Sequence, residues 1–573
     1  MPPEGETHDC DLVVVGSGAA GLTAAATAAF LGLDVIVLEK EPQLGGTSAW
    51  SGGWMWVPRN PLATESGFVE GIEAPRRYLR AELGPAYDDA LSTMFLEQAP
   101  RMVRFLRDDL GIAFVAGAGI PDFHDTSDGA GFGNRSICSA PFDGRRLGKE
   151  IRRLKPPLDQ VSPFGMGIAS GADMAHFLNA TRKPDSFVHV ARRILTHWRD
   201  VALHGRGMHL VNGNGLVAQL FKAALDGRVR LETSTPVVDI LVEEGKATGA
   251  IADTPAGRRT FRARRGVVLA AGGFPHDVAR KAKMFAHAPT GREHWSAAPR
   301  SNTGDGLRLG ESAGGNVRED LSNAGAWAPV SLAPTRRGDF GTFPHLVERA
   351  KPGLVMVTNK AVRFANEADS YHDVMQALFA VTPAGERPEA WMICDHPFQR
   401  RYGLGRARPR PYSIRPWLSN GYLKRAATIE GLAAECGLDP VCLAQTVADY
   451  NRDATQGRDP QFHRGESAYN KVQGDPENKP NPCVAPIDRG PFYAVKIVAG
   501  SLGTFAGLRT DEFARVLNKT GEPVGGLYAV GNDMSSMMGG RYPAGGITLG
   551  PGMTFGYIAA HHASGVPLDN NRT

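Results

Sequence analysis

The chain has 573 residues, 42% of them hydrophobic and 22% charged, which is more than one ordinary domain and points to two or three globular ones. A net charge of +4 without basic runs leaves no footprint for nucleic acid, and no stretch of ~18 apolar residues is present to cross a membrane as a helix. The six cysteines form no CxxC pair and no metal-ligand spacing, so they read as reduced thiols of a cytoplasmic protein that holds no metal.

The N-terminal MPPEGETHDCD lacks a basic region followed by an apolar one and is not a secretory leader; peripheral contact with a membrane is left open. Asp11–Val15 reads as a buried parallel strand, Gly16–Gly21 as a turn, Leu22–Leu31 as a small-residue helix and Asp34–Glu39 as a second strand. Strand, GxGxxG turn, helix, strand and a terminal acid, Glu39 falling 18 residues after Gly21, form a dinucleotide-binding unit. The backbone amides of Gly16, Gly18, Ala19, Ala20 and Gly21 are placed to receive a pyrophosphate at a helix N-terminus, with Glu39 and Lys40 at the ribose. The next loop carries two glycine pairs around hydroxyls: Gly45, Gly46, Thr47, Ser48, Ser51, Gly52 and Gly53. A nicotinamide enzyme has no need of such a loop directly after the acid, so it favours FAD, lying along the ribityl chain and ring edge.

Further along, Val229–Glu243 alternates as strands of a small sheet, and Val238 is assigned to the cofactor. Gly266–Phe274 is a buried strand whose turn, Ala271 and Gly272, returns the chain to the nucleotide. Asn302–Gly306 is either a plain turn or a loop near the flavin ring; the second is favoured because a glycine turn there would lead into a helix. Ala407–Trp417 is a proline-rich surface crossing. Gly526–Asp533 is a strand running back to the flavin through Gly531 and Asn532, followed by Gly546, Ile547 and Leu549. Composition changes near 280 and again near 480. The expected architecture is therefore α/β: a discontinuous Rossmann-like FAD-binding domain, residues 1–279 and 484–573, with an inserted α+β catalytic or capping domain, residues 280–483. Trp50, Trp54 and Trp56 suit an apolar pocket and plain core equally.

The segment Gly540–Pro551, GRYPAGGITLGP, narrows the chemistry. The phenol of Tyr542 and a free backbone N–H among Gly545 and Gly546 can together hold a ketone oxygen as it becomes an enolate.

These motifs together resemble the FAD-dependent fumarate reductase and 3-ketosteroid dehydrogenase flavoproteins. The resemblance covers nearly the whole chain, through VVVGSGAAGLTAA, GGTSAWSGG, VVLAAGGF, SNTGDG, VRFANEADSY, GLYAVGND and GGRYPAGGITLGPGMTFGY. The last two place the chain nearer the 3-ketosteroid Δ1-dehydrogenase branch. There, the resemblance implies that Tyr542 and Gly546 bind the substrate ketone and that Tyr371, after the Arg363–Glu367 element, is the base. Where that branch has a further tyrosine, in a Pro-Asp-Tyr context, this chain has Phe123, and the adjacent His124 is a candidate to take its place. The dicarboxylate branch's arginine is absent from Tyr542–Gly546, and its histidine corresponds to Gly503. With no histidine beside Gly45–Ser48, the FAD is expected to be noncovalent.

The implied reaction is introduction of a C=C bond α,β to the ketone of an apolar cyclic substrate, a 3-ketosteroid or a smaller ring such as a cyclohexanone. The α-hydrogen leaves as a proton to Tyr371, and the β-hydrogen as a hydride to flavin N5. Arg363 and Glu367 read as a structural ion pair, and His372 as pointing away from the site if its segment is extended. An ene-reductase running the reverse reaction and a noncatalytic electron-transfer flavoprotein are the alternatives. No CxxCH or iron–sulfur cysteine pattern is present, so electrons pass to an external acceptor, a quinone, oxygen or another protein.

Overall fold

A computed structural model describes residues 7–335 and 338–568; the first six residues, on which part of the leader reading rests, lie outside them. The strand Thr7–Val15 has Leu12, Val13 and Val14 fully buried, the signature of a strand covered on both faces. It pairs in parallel with Val35–Leu38 on one side and Gly257–Leu269 on the other. Arg230–Glu232 extends the sheet beyond Val35–Leu38, and Pro523–Ala529 runs parallel to Gly257–Leu269, with Arg515–Leu517 outside it. The C-terminal part of the chain thus completes the N-terminal sheet.

Helix Ala19–Phe30 starts inside the glycine turn, three residues before the expected Leu22. Glycine at 21 permits this, because a Cβ there would lie 2.2 Å from the Gly16 oxygen. The helix packs on Leu549–Ser564, where a Cβ at Gly556 would meet the Ala20 oxygen at 2.5 Å. Residues 229–243 do not make one small sheet. Arg230–Glu232 joins the parallel sheet, and only Val237–Glu243 turns away to pair antiparallel with Lys246–Thr254. A left-handed Ser234 (φ 55°) and Pro236 break the segment between them.

A second, antiparallel sheet is built from Phe340–Pro344, Val330–Pro334, Phe492–Val498, Glu389–Cys394 and Leu354–Thr358, with Leu423–Ala426 also on Phe492–Val498. Its central strand, Phe492–Val498, lies past residue 483, so this sheet draws on chain beyond the expected boundary of the insertion. Helices Ile429–Cys436 and Pro440–Ala454 cover one face, closing a separate core around Val355, Ile393, Leu432 and Val447. Below that core, Arg363 bonds Glu367 at 2.9 and 2.8 Å and Asp459 at 2.9 and 2.7 Å, and Arg464 reaches Glu367 at 3.1 Å. The Arg363–Glu367 pair is part of a buried cluster far more extensive than an i,i+4 bridge.

A three-stranded sheet of Trp54–Trp56, Ser136–Ser139 and Phe114–Ala116 supports the Phe123 loop. Among the described residues no helix is long and apolar enough to cross a membrane.

Candidate active site

One cavity of about 1240 Å³ runs from the Gly16–Ala20 turn, past Glu39 and Lys40, along Gly46–Gly53, to Ala270–Gly272, Gly531, Asn532 and Leu549. Its walls suit a dinucleotide. Gly16 sits at φ +107°, and a Cβ there would lie 2.3 Å from the Ala270 oxygen, so only glycine lets the turn pass under the strand end. The Glu39 carboxylate accepts from the Ser17 N–H (3.1 Å), the Ser17 hydroxyl and the Glu41 N–H (2.9 Å). Burial raises its pKa against these bonds, and lone-pair capacity remains for a ribose hydroxyl. Asn302 donates to the Thr47 hydroxyl at 3.1 Å and the Gly272 carbonyl at 3.0 Å, tying the Ser301–Gly306 turn to the loop at 45–53. Lys40 bonds Asp305 at 2.8 Å on the same turn.

The cavity continues to a cluster of aromatic rings. Tyr371 stands edge-on to Tyr542, centroids 5.0 Å apart, and Phe123 stacks on Tyr542 at 5.8 Å. Tyr469, which sequence reasoning missed, lies 4.4 Å from Phe123 and lines the same wall. It belongs to no glycine-rich motif, and helix Ala468–Gln473 is nearly a hundred residues from Tyr371, so no local pattern signals it.

The loop that carries Tyr542 is pinned from four sides. Tyr78 Oη and the Phe123 N–H both donate to the Pro543 carbonyl (2.6 and 2.9 Å), Ser136 Oγ to Gly545 (3.2 Å) and the Trp56 N–H to Gly546 (3.1 Å). Gly546 itself is at φ +100°, where a Cβ would meet the Met55 backbone at 2.7 Å. These bonds use carbonyls and leave N–H groups; the Gly546 N–H has no acceptor recorded among the described residues. The result is a preorganised donor beside a phenol.

Burial dominates the electrostatics. It pushes Tyr542 up to about 12, against hydrogen bonds from Tyr371 and Thr548. Burial, then the neighbouring Tyr542, hold Tyr371 well above the ordinary phenol value, while the Arg349 guanidinium pulls it down. Burial also lowers His372 to about 4, so this ring is neutral, its Nδ1 accepting the Trp327 N–H at 3.1 Å.

Most residues assigned to the cofactor line the cavity; four do not. Gly21 faces Gly16 instead, and Gly45 packs near Ala49 and Val217. Val237 rather than Val238 turns inward, as strand alternation requires, and Ile547 is 1% exposed in the core while Thr548 faces the cavity. His124 is also absent from the lining. Its ring nitrogens are taken by Glu82 and by Asp373, the latter at 2.8 Å. Burial opposes its charge, but the two carboxylates raise it to about 10, so it is a cation in an acidic clamp with no free nitrogen for substrate. His372 is absent from the lining too and is buried, so it does point away from the site, but on a helix and not on an extended segment. Tyr371 opens a helix, Tyr371–Val381, capped by Ser370, so successive side chains are ~100° apart rather than opposed, and His372 lies 5.8 Å from Tyr542. Of the three tryptophans, Trp50 and Trp54 line the cavity, whereas Trp56 is core, its indole donating to Asp122 at 2.8 Å. Gly503 lines the cavity, and a Cβ there would meet the Asn532 side-chain amide nitrogen at 2.5 Å, so that amide stands where a side chain at 503 would begin.

The family model described as "FAD binding domain" matches residues 11–549. The chain is 38% identical over 557 residues to 4-oxocyclohex-2-ene-1-carboxylate 5-dehydrogenase of Sinomonas cyclohexanicum, covering 97% of this chain and 94% of that protein. It is 35% identical over 565 residues to 3-oxosteroid 1-dehydrogenase of Mycolicibacterium smegmatis, covering 96% and 97%. The solved structure of 3-ketosteroid Δ1-dehydrogenase from Sterolibacterium denitrificans, in complex with 1,4-androstadiene-3,17-dione, superposes with a TM-score of 0.89 at 33% identity, covering 98% of this chain and 100% of that one. A continuous glycine-walled cavity and a match across nearly the whole length lead to one conclusion: the chain belongs to the FAD binding domain family, in the fumarate reductase and 3-ketosteroid dehydrogenase group, and is an FAD-dependent oxidoreductase.

Proposed function

We propose that the protein introduces a C=C bond α,β to the ketone of an apolar cyclic substrate, a 3-ketosteroid or a smaller oxo-cyclohexane ring. The observation that carries this reading is the meeting of Tyr371, Tyr542 and an unused Gly546 N–H at the end of the cofactor cavity. When bound, FAD supplies the acceptor for the hydride. The chain supplies the rest. Tyr542 Oη and the Gly546 N–H hold the ketone oxygen and strengthen their bonds as negative charge develops there, which acidifies the α-carbon. Tyr371 Oη takes the α-proton. Phe123, Leu346, Val347, Val472 and Leu502 give the substrate an apolar wall, which suits rings and excludes water. The relatives that act on a 3-oxosteroid and on an oxocyclohexene carboxylate support both ring sizes. An external quinone, oxygen or protein reoxidises the flavin.

One observation favours the reverse reaction as a second reading. Both phenols are held protonated by burial, which makes Tyr371 a better proton donor than acceptor until something favours its anion. Anaerobic mixing of the yellow protein with a Δ4-3-ketosteroid, a 5α-reduced 3-ketosteroid, cyclohexanone and succinate separates these readings. Bleaching by a saturated or Δ4 ketone, with the desaturated product identified by mass, supports the dehydrogenase. Re-oxidation of pre-reduced flavin by enones alone supports the reductase. Bleaching by succinate only overturns both. Tyr371→Phe with flavin retained is expected to lose ~10²–10⁴ in rate; full turnover by that variant removes Tyr371 from the chemistry.

A further inference from the structure

The turn at residues 301–305 bridges two walls of the cofactor cavity. Ser301, Asn302 and Asp305 line the cavity from the turn, and Glu39 and Lys40 line it from the end of the second parallel strand. The inner edge of the turn is tied by backbone and by a buried side chain. The His276 N–H donates to the Asn302 carbonyl and the Gly304 N–H to the Gly273 carbonyl, both at 3.1 Å. The Asn302 amide, on a residue only 6% exposed, donates to Thr47 and to the Gly272 carbonyl. Beyond the turn, helix Asp305–Ser312 is seated with Gly306 directly against the Asp533 carboxylate, where a Cβ has no room.

The outer edge is held by one side chain. Lys40 Nζ donates to the Ser301 carbonyl at 3.2 Å, to Thr303 Oγ1 at 2.9 Å and to Asp305 Oδ2 at 2.8 Å. An ammonium group has three protons. Three acceptors on the turn take them, so none is left over for a ribose hydroxyl. The neighbouring Glu39 carboxylate, by contrast, keeps lone pairs free for one. The Lys40 and Asp305 side chains are 39% and 27% exposed, and water and salt weaken an ion pair in that setting. The bonds of the inner edge are shielded from such competition. Local opening starts where bonds are few and solvated, so the edge at Lys40 is the one that parts first.

We propose that residues 301–305 form a strap across the cofactor cavity and that Lys40 is its clasp: the cavity admits or releases FAD only when the Lys40 bonds to Ser301, Thr303 and Asp305 open. Lys40 then acts on the cofactor through the strap, as a positioning residue, and does not bind the ribose itself. The strand end carries two functions side by side, a ribose acceptor at Glu39 and a clasp at Lys40. The clasp stands on the FAD cavity alone and is independent of the ketone chemistry.

The experiment is flavin exchange. The flavin-loaded, full-length protein is mixed with an excess of isotopically labelled FAD, and replacement of the bound flavin is followed over time by mass spectrometry of the protein fraction. Lys40→Met removes all three bonds of the clasp and is expected to speed exchange by ~10-fold, each bond being worth a few-fold. Asp305→Asn keeps the shape of the acceptor, removes its charge, and is expected to speed exchange by about threefold. The double variant should exchange no faster than Lys40→Met alone, because both changes open the same clasp. Exchange by Lys40→Met at the wild-type rate overturns the proposal. So does a result in which Lys40→Met speeds exchange and Asp305→Asn leaves it unchanged, for Lys40 would then touch FAD directly. Effects that multiply in the double variant also overturn it, because the two residues would then act separately. Exchange is read without turnover, so failure here leaves the ketone chemistry untouched.

Discussion

On the proposed function Tyr371 accepts the α-proton as a phenolate, in a place where burial disfavours that anion, and the group that works the other way is Arg349. This side chain is 1% exposed and donates to the backbone carbonyls of His345 (2.7 Å), Glu367 (2.6 Å) and Asp369 (3.1 Å). Two of those carbonyls lie just before Tyr371 in the chain, so the guanidinium is fixed beside the start of its helix. Its charge favours the phenolate of Tyr371 and of Tyr469. Arg349→Gln should therefore move the low-pH limb of the kcat profile upward by about one to three pH units, and Arg349→Lys should keep most of the original profile. An unchanged limb in the glutamine variant would show that the charge does not act on the base. If Tyr542 holds the ketone oxygen as proposed, Tyr542→Phe should lower kcat by ~10²–10³ with flavin retained; stopped-flow bleaching measures it. The phenol at 542 and the glycine at 546 were legible because both sit in one short segment. Tyr469 and Arg349 were not, because the chain brings them in from separate elements.

At the scale of the element, helix Tyr371–Val381 is positioned through its first turn. Ser370 caps it, and Asp373 reaches across to His124, on the residue next to Phe123, so the clamp joins the two walls of the aromatic cluster. His124 is raised from 6.5 to about 10 by Asp373 and Glu82 against the cost of its burial. A raised folded-state pKa contributes stability that is fully present below ~6.5 and is lost as pH rises through about 10. Removing the imidazole with His124→Gln should thus narrow the gap in melting temperature to wild type progressively between these values; a gap constant with pH would mean that the charged clamp adds nothing. The condition of an extended segment at 371–372 does not hold, because Ser370 caps a helix that begins at Tyr371. A second test concerns the glycine turn. Gly16→Ala would press a methyl into the Ala270 carbonyl, and purified protein should carry little flavin while the antiparallel sheet remains folded, as read by absorption and circular dichroism.

Across the whole molecule, the parallel sheet holds the cofactor cavity and the antiparallel sheet supplies Tyr371 through the Arg363–Glu367–Asp459–Arg464 cluster. Breaking one partner of a buried ion network leaves an unpaired charge, so Arg363→Met should cost ~3–5 kcal/mol, measured by denaturant unfolding. If stability barely changes, the apolar replacement has offset the cluster and the network serves specificity rather than strength.

The sequence by itself determined the local units: the strand–turn–helix with its acid at Glu39, the hydroxyl and glycine loop at 45–53, the returning strand, which starts at Pro523 and ends at Ala529, before the 3-10 turn Gly531–Asp533, and the phenol–glycine pair at Tyr542 and Gly546. Each is a contiguous stretch whose backbone needs are written in residue type, such as a positive φ or a close approach only glycine permits. Tertiary structure alone decided that His124 is locked between two carboxylates, that His372 stands against Tyr542, and that Trp56 is core while Trp50 and Trp54 face the cavity. These depend on which distant surfaces meet, and burial, charge pairing and exposure are properties of that meeting rather than of any segment.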